Sequence, residues 1–228
     1  MSIFKIKKEN IKEILIKKPF GKRLILMLIG VLLMGVCVSL LRMCSFGTDP
    51  YAAFCYGIHY KTGINFGTVE LIVNFVLLLI VVIFDVSKLG FGTLGNMILV
   101  GYTADFTSFL MMKIFGIDCF QTLSIRIVMM IAVLAVFVFA VSLYINAGLG
   151  GSAYDSLPYI IHTKLCKLVK REFPFAVTRI MFDACFTVIA FIIQGEAGII
   201  TVLMVFTLGP VIDLVAKLMS KYLKIDNS

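Results

Sequence analysis

The sequence predicts an all-α, polytopic membrane helix bundle of eight segments in two tandem four-helix repeats, the second segment of each repeat being short and open to a re-entrant course. Three observations carry that expectation. The chain is 61% hydrophobic and only 15% charged over 228 residues, where a soluble domain carries roughly a quarter charged residues; its mean hydropathy is +1.05. Apolar runs of membrane-spanning length recur along it. A stretch of the first half also reappears 103 positions later. At about 20 residues per crossing, such a chain holds roughly six to eight crossings and little else.

Residues 1–23 hold eight Lys and Arg (Lys5, Lys7, Lys8, Lys12, Lys17, Lys18, Lys22 and Arg23) against Glu9 and Glu13. Ile3, Ile6, Ile11, Ile14 and Leu15 recur at near-helical spacing. A basic amphipathic helix on an anionic leaflet fits this pattern, with a solvated tail as the plainer alternative. The basic region is too long for a signal peptide, and no small-residue cleavage site follows it.

Five strong apolar segments follow, at about 24–44, 66–84, 123–146, 174–193 and 198–216. A sixth, about 91–113, is richer in glycine (Gly90, Gly92, Gly95, Gly101), which lets membrane helices approach closely. Two weaker stretches, about 50–62 and 153–166, are short for a crossing and read as tilted spans or re-entrant pieces. The organisation expected is a basic cytoplasmic N-terminus (1–23), membrane repeat 1 (24–113), a linker (114–123), membrane repeat 2 (124–218) and a cytoplasmic tail (219–228).

The repeat rests on specific coincidences. Shifted by 103 positions, nine of the 24 residues in 38–61 recur: Val38/Val141, Ser39/Ser142, Leu40/Leu143, Gly47/Gly150, Tyr51/Tyr154, Tyr56/Tyr159, Ile58/Ile161, His59/His162 and Lys61/Lys164. Near a shift of 108 the match resumes with Gly90/Gly198, Thr93/Thr201, Gly101/Gly209 and Asp105/Asp213, while Glu70 faces Arg179 and Asn74 faces Asp183. Four crossings per copy give parallel copies; three, with the short piece re-entrant, give inverted ones. Parallel copies place 18 of the 21 Lys and Arg on the cytoplasmic side, leaving Arg42 and Lys88 outside and Arg179 within a helix. Inverted copies move Lys61, Lys113 and Arg126 outside, so the charge bias favours the parallel arrangement, with both termini cytoplasmic.

Gly47-Thr48-Asp49-Pro50-Tyr51 and Gly90-Phe91-Gly92-Thr93 with Gly101 resemble the YczE-like integral membrane proteins of the bacterial YczE/YyaS/YitT group, over nearly the whole chain beyond the basic N-terminus. The group's pattern after the glycine is approximately Pro-aromatic-Asp. This chain has Pro50-Tyr51 followed by Ala52 in one place, and Ala153-Tyr154-Asp155 in the other, so each half carries part of the motif. The resemblance implies a bacterial cytoplasmic-membrane location and supplies no substrate.

Ionisable groups at membrane depth are expensive and normally pair, face a bundle interior or line water. Glu70, Asp105, Arg179, Asp183 and Asp213 qualify, with Asn74 one turn from Glu70. These form the candidate substrate or ion site. A Glu70–Arg179 salt bridge between copies is one expectation, with Arg179 bonding Asp183 locally as the other. Asp213 follows Pro210 by three residues, and a proline that frees a backbone carbonyl beside a carboxylate suits a cation or proton. The turn residues Gly47, Thr48, Asp49, Gly150, Gly151 and Ser152 form a candidate anion site at two half-helix N-termini; tight turns with ordinary caps are the plain reading. His59 and His162 read as interfacial packing.

The six cysteines lack Cys-x-x-Cys spacing and mostly lie in apolar runs, so they read as reduced packing residues. With two histidines and no P-loop, His-Glu-x-x-His or Gly-x-Ser-x-Gly, neither an enzyme, a cofactor nor a metal is expected. The net charge of +8 lies at the ends and in one loop, which suits orientation and anionic lipid rather than nucleic acid. The bilayer, an unidentified small solute and further copies of the chain are the partners in view. The expected function is secondary transport or export of a small solute at a polar site between copies. A non-transporting membrane scaffold or subunit is the alternative.

Overall fold

A computed structural model describes residues 20–85, 87 and 89–223. The N-terminal amphipathic helix expected over 1–23 lies largely outside the described residues, as does the tail from 224. Among the described residues eight helices follow one another: α1 (Phe20–Cys44), α2 (Pro50–Thr62), α3 (Phe66–Phe84), α4 (Phe91–Phe115), α5 (Leu123–Ala147), α6 (Ala153–Val169), α7 (Phe175–Ile192) and α8 (Ile199–Leu223). Six of them, all but α2 and α6, are long and apolar enough to cross a membrane. At 13 and 17 residues, α2 and α6 fall short of the roughly 20 that a full crossing takes, so the count of four crossings in each half is not met.

The turns form where local chemistry dictates. Asp49 caps α2: its Oδ1 accepts from the Ala52 amide at 3.1 Å, and Pro50 opens the helix at a position where the N–H that proline lacks would have no intrahelical partner. Gly63, at φ 71°, ends it. Ser152 caps α6 by accepting from the Asp155 amide at 2.9 Å. The α3 N-terminus is capped from a neighbour, the Asp105 carboxylate on α4 accepting from the Gly67 amide at 2.8 Å.

Three close approaches fix the helix directions. Arg23, at the start of α1, donates to the carbonyls of Ala147 (2.7 Å) and Gly148 at the end of α5. Arg126, at the start of α5, donates to the carbonyls of Cys44 (2.7 Å) and Ser45 at the end of α1. The helices α1 and α5 are therefore antiparallel, and Gly30 brings the α1 backbone against Ala140 and Tyr144. Two copies facing the same way would need α1 and α5 to run in one direction, so the parallel arrangement expected from the charge count is wrong. A count of Lys and Arg weighs loops only; it does not register whether a short segment crosses or returns.

The remaining neighbours agree. Beside α4, α1 runs parallel: Gly35 abuts Val100 and Thr103, and Ser39 meets Ser108 with hydroxyls 2.8 Å apart. Beside α8, α5 runs the same way, with Ser142 near Ile212 and Asn146 donating to the Ala216 carbonyl at 3.0 Å. The short helices cross over: α2 packs on α7 and α6 on α3. Small residues at these seams let backbones meet, as membrane helices require in place of a hydrophobic drive. All six cysteines are free.

With the six native cysteines replaced, the pair Ser39→Cys with Ser108→Cys should oxidise to an intramolecular disulfide, seen as a mobility shift on non-reducing gels. No shift under mild oxidation would contradict the α1–α4 register.

Candidate functional site

The chain after α1 turns back into the bundle. Residues 45–49 leave the end where Arg126 caps α1 and reach Tyr51, whose hydroxyl donates to the Glu70 carbonyl at 3.2 Å and whose ring lies 6.3 Å from that of Phe186. Residues 148–152 do the same from the other end, where Gly90 and Gly150 touch, and reach Tyr154 beside Asp183. The left-handed backbone of Gly47 (φ 106°) and of Gly150 (φ 104°) lets each strand pass against Gly198 and Gly90 respectively. A side chain at either position would be strained and would also strike the opposing backbone. The N-termini of α2 and α6 thus face one another inside the bundle, with the Tyr51 and Tyr154 rings 4.8 Å apart.

A cavity of about 70 Å³ lies where they meet, room for on the order of five waters. Its polar lining comes from Asp49, Glu70, Asn74, Asn96, Ser152, Tyr51, Tyr154, Asp155, Arg179 and Asp183, and its apolar walls from α1, α4, α5 and α8. The expected residues Glu70, Asn74, Arg179 and Asp183 therefore do come together.

One side of the cavity is a closed network. Arg179 donates to Asp155 Oδ1 at 2.8 Å and to Asp183 Oδ2 at 2.9 Å. The Tyr154 hydroxyl donates to the other Asp183 oxygen at 2.5 Å, and Ser152 donates to Asp155 Oδ2 at 2.7 Å. The guanidinium also stands 5.4 Å from the centre of the Tyr154 ring. Each charge in this network has opposite charge and directed donors around it, which burial of an ion demands. The other side is open in the chemical sense. Glu70 is 3% exposed and Asn74 1%, yet Glu70 Oε2 and Asn74 Nδ2 have no hydrogen-bond partner. The Cα of Gly101 makes the room for Glu70: a methyl there would stand 2.5 Å from Oε2.

The expected Glu70–Arg179 bridge is not formed. Glu70 lies one turn into α3 and Arg179 one turn into α7, and these helices enter the bundle from opposite ends, so the two side chains sit at different depths. Arg179 takes Asp183 one turn along its own helix instead. Two further expected residues lie away from the cavity. Asp105 is spent on capping α3, and Asp213 is exposed on the outer face of α8; neither lines the cavity. At the expected half-helix anion site the chain's own groups stand at both N-termini: Asp49 accepts from the Ala52 amide and Ser152 from the Asp155 amide, and the Asp155 carboxylate lies in the first turn of α6, so those amides and dipoles are compensated from within the chain. Of the turn residues, Gly47 and Gly150 serve the close passages, the Thr48 amide donates to the Glu196 carbonyl, Gly151 accepts from the Thr93 hydroxyl, and only Asp49 and Ser152 line the cavity.

Sequence reasoning left out Tyr51, Tyr154, Asp155 and Asn96 as site residues. Their signals were present: the tyrosines recur at the 103-residue shift, Asp155 follows one of them, and Asn96 interrupts an apolar helix. Both histidines pack at the ends, His59 on the Ile64 carbonyl and His162 on the Thr178 hydroxyl at 3.1 Å. Among the described residues no group of three or more His, Cys, Asp or Glu side chains is placed to hold a metal ion.

Arg179→Met, which strands Asp155 and Asp183, should lower stability by about 3–5 kcal/mol, whereas Glu70→Gln should cost less than about 1 kcal/mol because no partner is lost. Unfolding of the two variants in detergent checks the contrast; equal losses would contradict the assignment of pairs.

Comparison with known proteins finds no curated relative and no solved structure that matches. A family model does match, over residues 21–217, which takes in all eight described helices but for the first residue of α1 and the last turns of α8. That family is uncharacterised, and nothing ties the chain to the YczE-like group in particular. The chain belongs to DUF6198, a family of unknown function.

Proposed function

We propose that the protein is a secondary transporter or exporter of a small solute, built from two inverted copies that enclose the binding cavity between them. The observation that carries the reading is the unpartnered pair Glu70 and Asn74 in an internal cavity where two half-helix N-termini meet. Discontinuous helices that meet at the midplane between inverted repeats are a recurrent way to build a transport site. A fold packed only for stability gains nothing by leaving a buried carboxylate oxygen bare.

Several pairings support the duplication. Arg23 and Arg126 lie 103 residues apart and cap each other's helix, as do their acceptors. The Gly92 amide donates to the Leu149 carbonyl at 2.8 Å, and the Ile200 amide to the Phe46 carbonyl at 3.1 Å, an exchange of the same two elements. The helix neighbours are likewise preserved when α1–α4 are exchanged with α5–α8: α1 on α4 as α5 on α8, α3 on α4 as α7 on α8, α2 on α7 as α6 on α3.

Orientation follows from the inverted arrangement. With the N-terminus cytoplasmic, the loops and ends on that side hold sixteen of the 21 Lys and Arg, leaving Arg42, Lys61, Lys113 and Arg126 on the far side and Arg179 inside. The C-terminus is then cytoplasmic too, in what the composition and the resemblance suggest is a bacterial cytoplasmic membrane. A non-transporting scaffold is the second reading, and the completeness of the Arg179 network favours it: that half of the cavity is self-sufficient.

Cys119, exposed between α4 and α5, should react in intact cells with a membrane-impermeant maleimide; protection there, with reaction in inverted vesicles, would reverse the orientation. For function the test is Ala52→Cys, buried in the cavity wall, in a background without other cysteines. Transport by alternating access expects a small methanethiosulfonate reagent to reach it from both sides of the membrane. Failure to react from either side would favour the scaffold.

A further inference from the structure

We propose that the cavity takes a small organic cation, an amine or ammonium group that also carries an oxygen acceptor, held between Glu70 and Asn74 beside Tyr51. The proposal rests on the solute-site reading above and names the class of solute.

The charge around the cavity is unbalanced. Four carboxyl side chains line it, Asp49, Glu70, Asp155 and Asp183, against the single guanidinium of Arg179. Arg179 is already shared by Asp155 and Asp183. Asp49 has the Ala52 amide on one oxygen, and Glu70 has nothing on Oε2. A buried carboxylate oxygen without a donor calls for one, and a charged donor serves it best. One turn along the same face of α3, the Asn74 amide nitrogen calls for an acceptor. One occupant with a cationic N–H at one end and an oxygen at the other satisfies both groups.

The aromatic walls suit the same occupant. The rings of Tyr51 and Tyr154, which both line the cavity, lie 4.8 Å apart; ring faces attract cations. The other half of the cavity already shows this chemistry with a tethered ion. There the Arg179 guanidinium lies against Tyr154 between two carboxylates. In the proposed duplication Tyr51 matches Tyr154, while the carboxylate of Glu70 stands in the place of Arg179, so this half has a tyrosine and an acid and no side chain supplying the cation. A cavity of about 70 Å³ limits the occupant to a few heavy atoms, the size of an amino alcohol.

Thermal unfolding of the purified full-length protein in detergent tests this with four probes at matched ionic strength: ethanolammonium, methylammonium, glycerol and acetate. Ethanolammonium should raise the midpoint, by on the order of 5 °C at about one hundred times its Kd. Methylammonium, which lacks the acceptor, should act more weakly, and glycerol and acetate not at all. Glu70→Gln should abolish the shift while keeping its own basal midpoint near that of the unaltered protein, and Asn74→Leu should erase the advantage of ethanolammonium over methylammonium. No shift with ethanolammonium, or an equal shift in Glu70→Gln, overturns the cation proposal. If Ala52→Cys still reacts from both sides, the solute-site reading survives that failure; if it reacts from neither, both fall.

Discussion

Each helix end leaves carbonyls with no partner along its own axis, and a buried one left unbonded costs roughly 1–3 kcal/mol; the fold meets that demand twice, at the ends of α1 and α5. Where α1 stops, Arg126 takes the carbonyls of Cys44 and Ser45; where α5 stops, Arg23 takes those of Ala147 and Gly148. The returning strands are then paired with the opposite half, the Thr48 amide donating to the Glu196 carbonyl and the Gly92 amide to the Leu149 carbonyl. Because each break is repaired by the other half of the chain, neither half is complete alone. The antiparallel seam of α1 and α5 follows from the same two arginines.

Those repairs position the cavity. Gly47 and Gly150 allow the strands to enter, Asp49 and Ser152 start the short helices at depth, and Tyr51 meets Tyr154 where the helices face. The polar groups that line the space then divide unequally. Around Arg179 every charge is answered from within the chain, while Glu70 and Asn74 are held by α3 without an answer. That asymmetry is what the proposed solute site answers, since packing alone would favour a bridge or an apolar pair in the same volume.

The helices were legible because an apolar run of fixed length is a direct consequence of bilayer thickness: α3 was read at 66–84, as found, and the weaker stretch at 50–62 is α2. The internal similarity was legible too, at Tyr51/Tyr154 and Gly47/Gly150. What did not show was its sense. Whether 50–62 and 153–166 cross or return is decided by how far the preceding strands re-enter, and that depends on contacts between Gly47 and Gly198 and between Gly150 and Gly90, residues more than fifty positions apart. The Glu70–Arg179 bridge was out of reach of the sequence for a similar reason: whether the two side chains are level depends on the directions in which α3 and α7 run, which the sequence does not carry. Asp105 was misread because a carboxylate capping a neighbouring helix has the same sequence signature as one that binds a solute.

The meeting of the two short helices is the claim on which cavity, inversion and function all stand. It can be measured by placing cysteines at Tyr51 and Tyr154, singly and together, in a background free of other cysteines, and adding a bis-methanethiosulfonate whose spacer bridges adjacent side chains only. The account predicts an intramolecular cross-link in the folded double variant. Both single cysteines reacting while the double variant stays unbridged would contradict it.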